Sequence, residues 1–307
     1  MKVGVLGAGV WGRAVGGLLG NNGHEVVYRH HGDHEWPEGI DFVLIALPVQ
    51  HIRESAARFP APGVPVLSLS KGLEIETGWR VSEILHDKWG LSPAQTAVLS
   101  GPNFAAEIAR GLPAAAVVAS ADEALAERFQ GLLHQSSFRL YRSTDLVGVE
   151  LGGALKNVYA IAAGICAGLE LGHNAFAALV TRCLAEMTRI GVRLGGRPET
   201  FAGLSGVGDL FLTAGSELSR NFRVGQWLGQ GESLDSPKFQ VGGVAEGIGT
   251  TRSVFQLATI PAEEKPVAAQ VYAILHEGVS PRQAVAELLG RAAAAEHGAA
   301  KKAFQAG

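Results

Sequence analysis

The first twelve residues constrain this chain more than any other stretch. Lys2 to Leu6, KVGVL, is a short apolar run that ends in Gly7-Ala8-Gly9-Val10-Trp11-Gly12. Apolar residues then recur at helical spacing (Val10, Ala14, Val15, Leu18, Leu19) before Glu25-Val26-Val27-Tyr28 reads as a second strand. Strand, G-x-G-x-x-G, helix and strand in this order make a dinucleotide fingerprint. Gly7 permits the tight turn, Gly9 lets the backbone approach a pyrophosphate, and Gly12 allows close helix–strand packing. The helix start offers free N–H groups to the anion. Without its context the glycine spacing is a weak signal; directly after a clean strand it is a strong one.

Apolar runs and helical patterns keep alternating as far as Ser143. Strands are predicted over 40–47, 64–69, 95–99, 114–119 and 138–141, with helices over 49–58, 104–109 and 123–134. From Asp145 onward the pattern is helical, with long stretches over 146–168, 175–194, 266–276 and 280–294. The expected architecture is a dinucleotide-binding α/β domain with a mainly parallel sheet over 1–143, followed by an all-α domain over 144–307. The end of the chain, from Ala292, reads as a frayed tail.

The helix over 146–168, LVGVELGGALKNVYAIAAGICAG, is apolar nearly all round and so belongs in a core. Its glycines lower helix propensity, so packing must supply what propensity does not. Lys156 sits at its centre. Either its stem carries the ammonium to the surface, or the ammonium is buried against a partner. Glu150 is on a different face and is no such partner. Asp209, in GLSGVGDLFLT with Thr213 one turn further on, is either a helix cap or the buried partner of a cation. Arg220, in Ser219-Arg220-Asn221, opens a helix, where a guanidinium fork and free N–H groups suit a phosphate. An ordinary surface arginine fits the same pattern.

Lys71, in Ser70-Lys71-Gly72, follows a strand, either pointing to the crevice where doubly wound sheets bind ligands or standing as an ordinary loop lysine. Asn103, in GPNFAAE, is placed to cap a helix from Phe104 to Ala109. At the end of the second strand, where an NAD site carries an acid for the ribose hydroxyls, stands Arg29, which suits a 2′-phosphate and favours NADPH, unless it merely starts a polar loop. His30, His31 and His34 follow in a loop with no further ligand spacing, so no metal is expected.

Bulk properties exclude several classes. The net charge is −3 and no long Lys/Arg run occurs, which argues against a nucleic-acid surface. Glycine, at 41 residues, is used about twice as often as usual, in keeping with phosphate loops and close backbone approaches. The two cysteines, Cys166 and Cys183, have no metal spacing and fit a reducing compartment. Met1-Lys2 leads straight into a strand, and the charge-free run Asn157 to Leu169 is shorter than the ~18 residues of a membrane span. A cytoplasmic location without membrane insertion is expected.

The motifs GAGVWG, SKG, GPNFAAE, ELGGALKNVYAIAAG, GLSGVGDLFLT, SRN and AEG together resemble the bacterial type of NAD(P)-dependent sn-glycerol-3-phosphate dehydrogenase over nearly the whole chain. The resemblance implies a Rossmann-type domain and a helical domain similar to that of 6-phosphogluconate dehydrogenase. It implies Lys156 as acid/base, with Asp209 beside it. Lys71, Gly101, Asn103, Asn157, Asp209, Thr213, Ser219, Arg220 and Asn221 would surround the substrate. Gly7, Gly9, Val10, Trp11, Gly12, Arg29, Lys71, Ala105, Arg220, Val244 and Glu246 would serve NADP or NAD. The reaction implied is reversible hydride transfer between dihydroxyacetone phosphate and sn-glycerol 3-phosphate, feeding phospholipid synthesis, in a homodimer. AEG stands where VEG is usual, and the loop after Arg29 is short and His-rich. Two rival readings are a ketopantoate- or hydroxyacid-type reductase, which needs no phosphate clamp, and a non-enzymatic dinucleotide sensor, which needs no Lys156 and Asp209 pair.

Overall fold

The computed structural model describes residues 1–30, 32–240 and 245–292. His31, Val244 and the tail beyond Ala292, each singled out in the sequence, lie outside the described residues. Among the described residues seven strands, β1 (Lys2–Leu6), β2 (Glu25–Arg29), β3 (Phe42–Ile45), β4 (Val66–Ser68), β5 (Thr96–Ser100), β6 (Ala114–Ser120) and β7 (Phe138–Ser143), form one sheet in the order β2-β1-β3-β4-β5-β6-β7. Every pairing is parallel except β5 with β6. The strand order reverses at β1, and the crevice beyond the carboxyl ends of β1 and β3 is where such sheets take ligands.

Five helices follow the strands in this half: α1 (Val10–Asn21), α2 (Ile52–Arg58), α3 (Val81–Trp89), α4 (Ala105–Ala109) and α5 (Glu123–Leu133). α1 and α5 cover one face, over a core that includes Val3, Leu18, Phe42 and Phe129. α2 and α3 cover the other, around Ile45, Ile52, Ile84 and Trp89. With both faces covered, β3 and β5 are buried along their whole length, which is why they read as apolar runs rather than alternations.

The strand predicted over 40–47 shortens to β3, because polar partners claim its flanks. Asp41 accepts a hydrogen bond from the Lys2 backbone N–H, and the Leu47 carbonyl accepts one from Ser70 Oγ. α3 has no counterpart among the predicted elements. Glu83 accepts from the Arg80 backbone N–H at its start, and Gly90, at φ +66°, ends it in the left-handed conformation.

The helical domain is built on α6 (Leu146–Gly168), followed by α7 (Gly172–Arg193), α8 (Pro198–Phe201), a π-helical turn over Leu204–Gly208, α9 (Asp209–Ala214), α10 (Arg220–Gly229), α11 (Glu246–Gln256), α12 (Pro266–His276) and α13 (Pro281–Leu289). The last of these, predicted over 280–294, stops at Leu289, before Gly290 at its C-cap. Asp145 caps α6 by accepting from the Gly148 N–H at 2.9 Å. Only Val147, Ala167 and Gly168 of α6 are not fully buried. The helix has the length and apolarity of a membrane span, but it is packed inside the protein.

Glycines let α6 and α10 touch backbone to backbone. A Cβ on Gly225 would lie 2.0 Å from the Ile161 carbonyl oxygen, and one on Gly164 would lie 2.0 Å from that of Phe222. Small residues are therefore obligatory at this crossing. Gly225→Ala should destabilise the protein by about 2–3 kcal/mol through forced separation of the helices. Gly17→Ala, on the exposed side of α1 with nothing within 4 Å of the new methyl, should stabilise by about 0.5–1 kcal/mol. Urea unfolding midpoints must move in opposite directions for the two variants.

Candidate active site

A cavity of about 590 Å³ opens at the carboxyl ends of the parallel strands, between the sheet and the helices. Gly9, Val10 and Trp11 reach it from the turn after β1, Leu47 and Pro48 from the end of β3, and Ser70 and Lys71 from the end of β4. Asn103 and Ala105 border it beyond β5. The helical side contributes Lys156, Asn157, Asp209, Thr213, Ser219, Arg220, Asn221 and Glu246.

The glycine turn has the form its sequence demands. Gly7 sits at φ +108°, and a Cβ on Gly12 would strike the Gly7 carbonyl oxygen at 2.1 Å. A Cβ on Gly9 would meet nothing within 4 Å, so the backbone there is bare toward the cavity. Trp11 Nε1 donates to the Leu69 carbonyl at 3.1 Å and ties the first turn of α1 to the end of β4. These residues fit a dinucleotide pyrophosphate. Arg29 ends β2 beside this turn, its carbonyl accepting from the Gly7 N–H at 3.0 Å, and does not line the cavity.

At the other end, two lysines converge on one aspartate. Lys156 Nζ donates to Asp209 Oδ1 at 2.6 Å and to Thr213 Oγ1 at 2.8 Å. Lys71 Nζ donates to Asp209 Oδ2 at 2.7 Å, to Asn103 Oδ1 at 2.7 Å and to the Gly101 carbonyl at 3.0 Å. Lys156 is 7% exposed and Asp209 1%, so the ammonium is buried with a partner rather than carried to the surface. Asp209 is the partner of two cations and no helix cap. Backbone packing brings them together: a Cβ on Gly152 would lie 2.5 Å from the Ser205 carbonyl oxygen, so α6 presses on the π-helical turn that leads into Asp209. Lys156 lies one helical turn beyond Gly152, and Thr213 one turn beyond Asp209, on the same faces.

An ammonium has three N–H donors. Lys71 spends all three on protein acceptors. Lys156 spends two, and among the described residues its third has no protein partner. Burial raises the affinity of the Asp209 carboxyl for its proton, but the ammoniums of Lys156 and Lys71 outweigh burial and hold it below the usual carboxylate range. Burial pulls Lys71 down to about 8 against the attraction of Asp209, with Lys156 adding to the fall.

Asn103 does not cap α4. The N-cap position is Phe104, with no side-chain hydrogen bond, because the Asn103 carbonyl oxygen faces the Lys71 ammonium. A charge-assisted bond outweighs a cap on a five-residue helix. Asn103 Nδ2 is buried without a partner among the described residues. Gly101, at φ +129°, presents its carbonyl to Lys71 in a conformation that favours glycine.

Asn157 and Asn221 form a ladder across three helices. Asn157 Nδ2 donates to the Lys71 carbonyl at 3.3 Å, Asn221 Nδ2 to Asn157 Oδ1 at 2.9 Å, and the Gly247 N–H to Asn221 Oδ1 at 2.9 Å. Ser219 caps α10, its Oγ accepting from the Phe222 N–H at 3.2 Å, and so sets Arg220 at the cavity wall. Burial pushes Glu246, the first residue of α11, up to about 7, against the Val49 N–H and the Arg220 charge. Arg223 also lines the cavity and was not singled out in the sequence; its spacing of three from Arg220 on one helix is the signal that points to it. Cations (Lys71, Lys156, Arg220, Arg223) outnumber carboxylates (Asp209, Glu246), which suits an anionic ligand.

Residues 34–126 match the family model of the NAD-dependent glycerol-3-phosphate dehydrogenase N-terminus, and residues 145–286 match that of its C-terminus. The glycerol-3-phosphate dehydrogenase [NAD(P)+] of Anaeromyxobacter dehalogenans is 41% identical, over 95% of this chain and 98% of its own. That of a Synechocystis strain is 42% identical, over 96% of this chain and 95% of its own. The crystal structure of glycerol-3-phosphate dehydrogenase from Coxiella burnetii has 34% identity and a TM-score of 0.85, covering 94% of this chain and 99% of that one. The chain belongs to the NAD-dependent glycerol-3-phosphate dehydrogenase family.

Proposed function

We propose that this chain, an NAD(P)-dependent oxidoreductase, reversibly reduces dihydroxyacetone phosphate to sn-glycerol 3-phosphate through Lys156 and Asp209. The observation that carries the assignment of roles is the single unspent N–H of Lys156 inside a cavity with a bare glycine turn at one end and Arg220 at the other. When bound, the dihydronicotinamide supplies the hydride. The Lys156 ammonium donates its free N–H to the substrate carbonyl oxygen, polarises the carbonyl and gives up a proton as the alkoxide develops. Asp209 and Thr213 hold the ammonium in place. Lys71, whose donors are all occupied, orients Asp209 and Asn103 and adds positive charge. Arg220 takes the phosphate, and Asn103 Nδ2 offers a donor to a substrate oxygen. Gly7, Gly9, Val10, Trp11, Gly12, Ala105 and Glu246 hold the cofactor. A ketopantoate-type or hydroxyacid-type substrate would need no phosphate clamp, and a sensor would need no lysine–aspartate pair. The domain boundary falls between residues 143 and 144. The product feeds phospholipid synthesis, and the protein works in the cytoplasm as a homodimer without membrane insertion.

Lys156→Met keeps the apolar stem and removes the ammonium. Turnover should fall by about 10²–10⁴-fold with cofactor affinity, followed by fluorescence, nearly intact. Lys156→Arg should not restore it, since guanidinium keeps its proton. A folded Met variant with near-normal turnover sinks the assignment.

Arg220→Lys retains charge but loses the bidentate fork. Its KM should rise for dihydroxyacetone phosphate by about tenfold and stay level for unphosphorylated dihydroxyacetone. Equal rises for both compounds would remove Arg220 from the phosphate.

Lys71, at about 8, supplies a pH dependence. Above that pH it loses its proton, and with it one of the two ammoniums on Asp209, so kcat/KM for ketone reduction should fall as pH rises through about 8. In Lys71→Arg the cation does not titrate in this range, and the alkaline limb should move up by more than about one pH unit. An unmoved limb assigns it to another group.

A further inference from the structure

We infer that Arg13 is a cofactor-specificity residue, forming with Arg29 a pair of guanidiniums that clasps the adenosine 2′-phosphate of NADPH. The inference rests on the NAD(P)-dependent reading above. Arg13 directly follows the last glycine of the fingerprint, in the first turn of α1. Its side chain folds back over that turn: Nε donates to the Ala8 carbonyl at 2.8 Å, and the guanidinium carbon lies 5.7 Å from the centre of the Tyr28 ring. Tyr28 pairs with Val5 and immediately precedes Arg29. Arg29 is tied to the same turn through its own carbonyl, at 3.0 Å from the Gly7 N. Its Nε donates to the Glu35 carbonyl at 2.8 Å.

The two arginines are thus anchored alike. Each spends Nε on a backbone carbonyl. Among the described residues, the Nη atoms of both lack a protein hydrogen-bond partner, and neither arginine pairs with a carboxylate. An Nη pair held in a fixed plane is suited to phosphate oxygens. A phosphomonoester carries a charge of about −1.5 to −2 near neutrality, enough to engage two such forks. Neither arginine lines the 590 Å³ cavity where Lys156 and Asp209 meet. They flank the glycine turn on the β2 side, where the adenosine ribose of a dinucleotide is read in this fold. They can therefore bias the choice of cofactor without touching the reacting groups. The competing role for Arg13 is the pyrophosphate, which NADH and NADPH share.

The test uses the full-length protein and the variants Arg13→Met and Arg29→Met. Calorimetric binding of 2′,5′-ADP and of 5′-AMP is measured alongside KM for NADPH and NADH. We expect wild type to bind 2′,5′-ADP more tightly than 5′-AMP, and Arg13→Met to cut that preference about tenfold. The ratio of KM for NADPH to KM for NADH should rise by a similar factor. Equal losses for both nucleotides would give Arg13 to the pyrophosphate and overturn the inference. A preference that survives Arg13→Met but vanishes in Arg29→Met would overturn the role of Arg13 alone. Wild type without any preference for 2′,5′-ADP would overturn the clamp as a whole. The nucleotide titrations need no turnover, so they report on Arg13 even if dihydroxyacetone phosphate proves not to be reduced, an outcome that would count against the proposed reaction alone.

Discussion

The structure depends on the sharing of one buried carboxylate by two ammoniums. Removing a charge from water costs several kcal/mol per ion, and a lone buried lysine would shed its proton rather than bear that cost. Asp209, 1% exposed, gives one oxygen to Lys156 and the other to Lys71. Lys156 makes Lys71 harder to keep charged, and the aspartate opposes that effect. One positive charge is left over, facing a cavity that must receive anionic ligands. Lys71 comes from the end of β4, Lys156 from α6 and Asp209 from α9, so the ion cluster also joins the two halves of the chain, as the Arg80–Glu150 pair does elsewhere along α6.

Around that cluster, backbone contact does what side chains cannot. Gly152 admits the turn before Asp209, Gly153 admits Ser100 at the end of β5, and Gly164 and Gly225 let α6 and α10 meet. The low helix propensity of α6 is the cost of these approaches, and nearly complete burial offsets it. The asparagine ladder from Lys71 through Asn157 and Asn221 to Gly247 then fixes amide orientations that would otherwise be free to flip.

Much of this was legible from local pattern. The strand, the glycine turn and the helix after it form within some thirty residues, and each glycine reports a steric requirement that the structure contains. The helix 146–168 declared its burial by being apolar on every side. Less legible was whatever depended on a distant partner. Lys156 could have been buried or surface-bound until Asp209, 53 residues away, was brought beside it. Asn103 looked like a cap because cap geometry is local, whereas its ion-bound neighbour, 32 residues earlier, is not. The helix α3 carries Val81, Ile84, Leu85 and Trp89 at helical spacing, but over nine residues so short a period is a weak signal.

The reversal between β5 and β6 sets a length. Because β6 runs against β5 and β7 runs with β6, the chain leaves Ser143 level with Val98, in the middle of β5, and heading away from the crevice. There Leu146 and Val149 pack against Val98 and Ala119. To bring an ammonium to the crevice, α6 must run back along β5 to its carboxyl end, where Gly153 meets Ser100. The two strand steps from Val98 to Ser100 rise roughly 7 Å at ~3.3 Å each, and the four helix steps from Val149, packed near Val98, to Gly153, against Ser100, rise roughly 6 Å at ~1.5 Å each. The helix is a ruler cut to the strand. A single residue inserted between Leu146 and Lys156 would turn the lysine by about 100° and leave Asp209 facing an alkyl group. In this fold the position of the lysine along its helix is therefore arithmetic, set by the level at which the helix starts against a neighbouring strand.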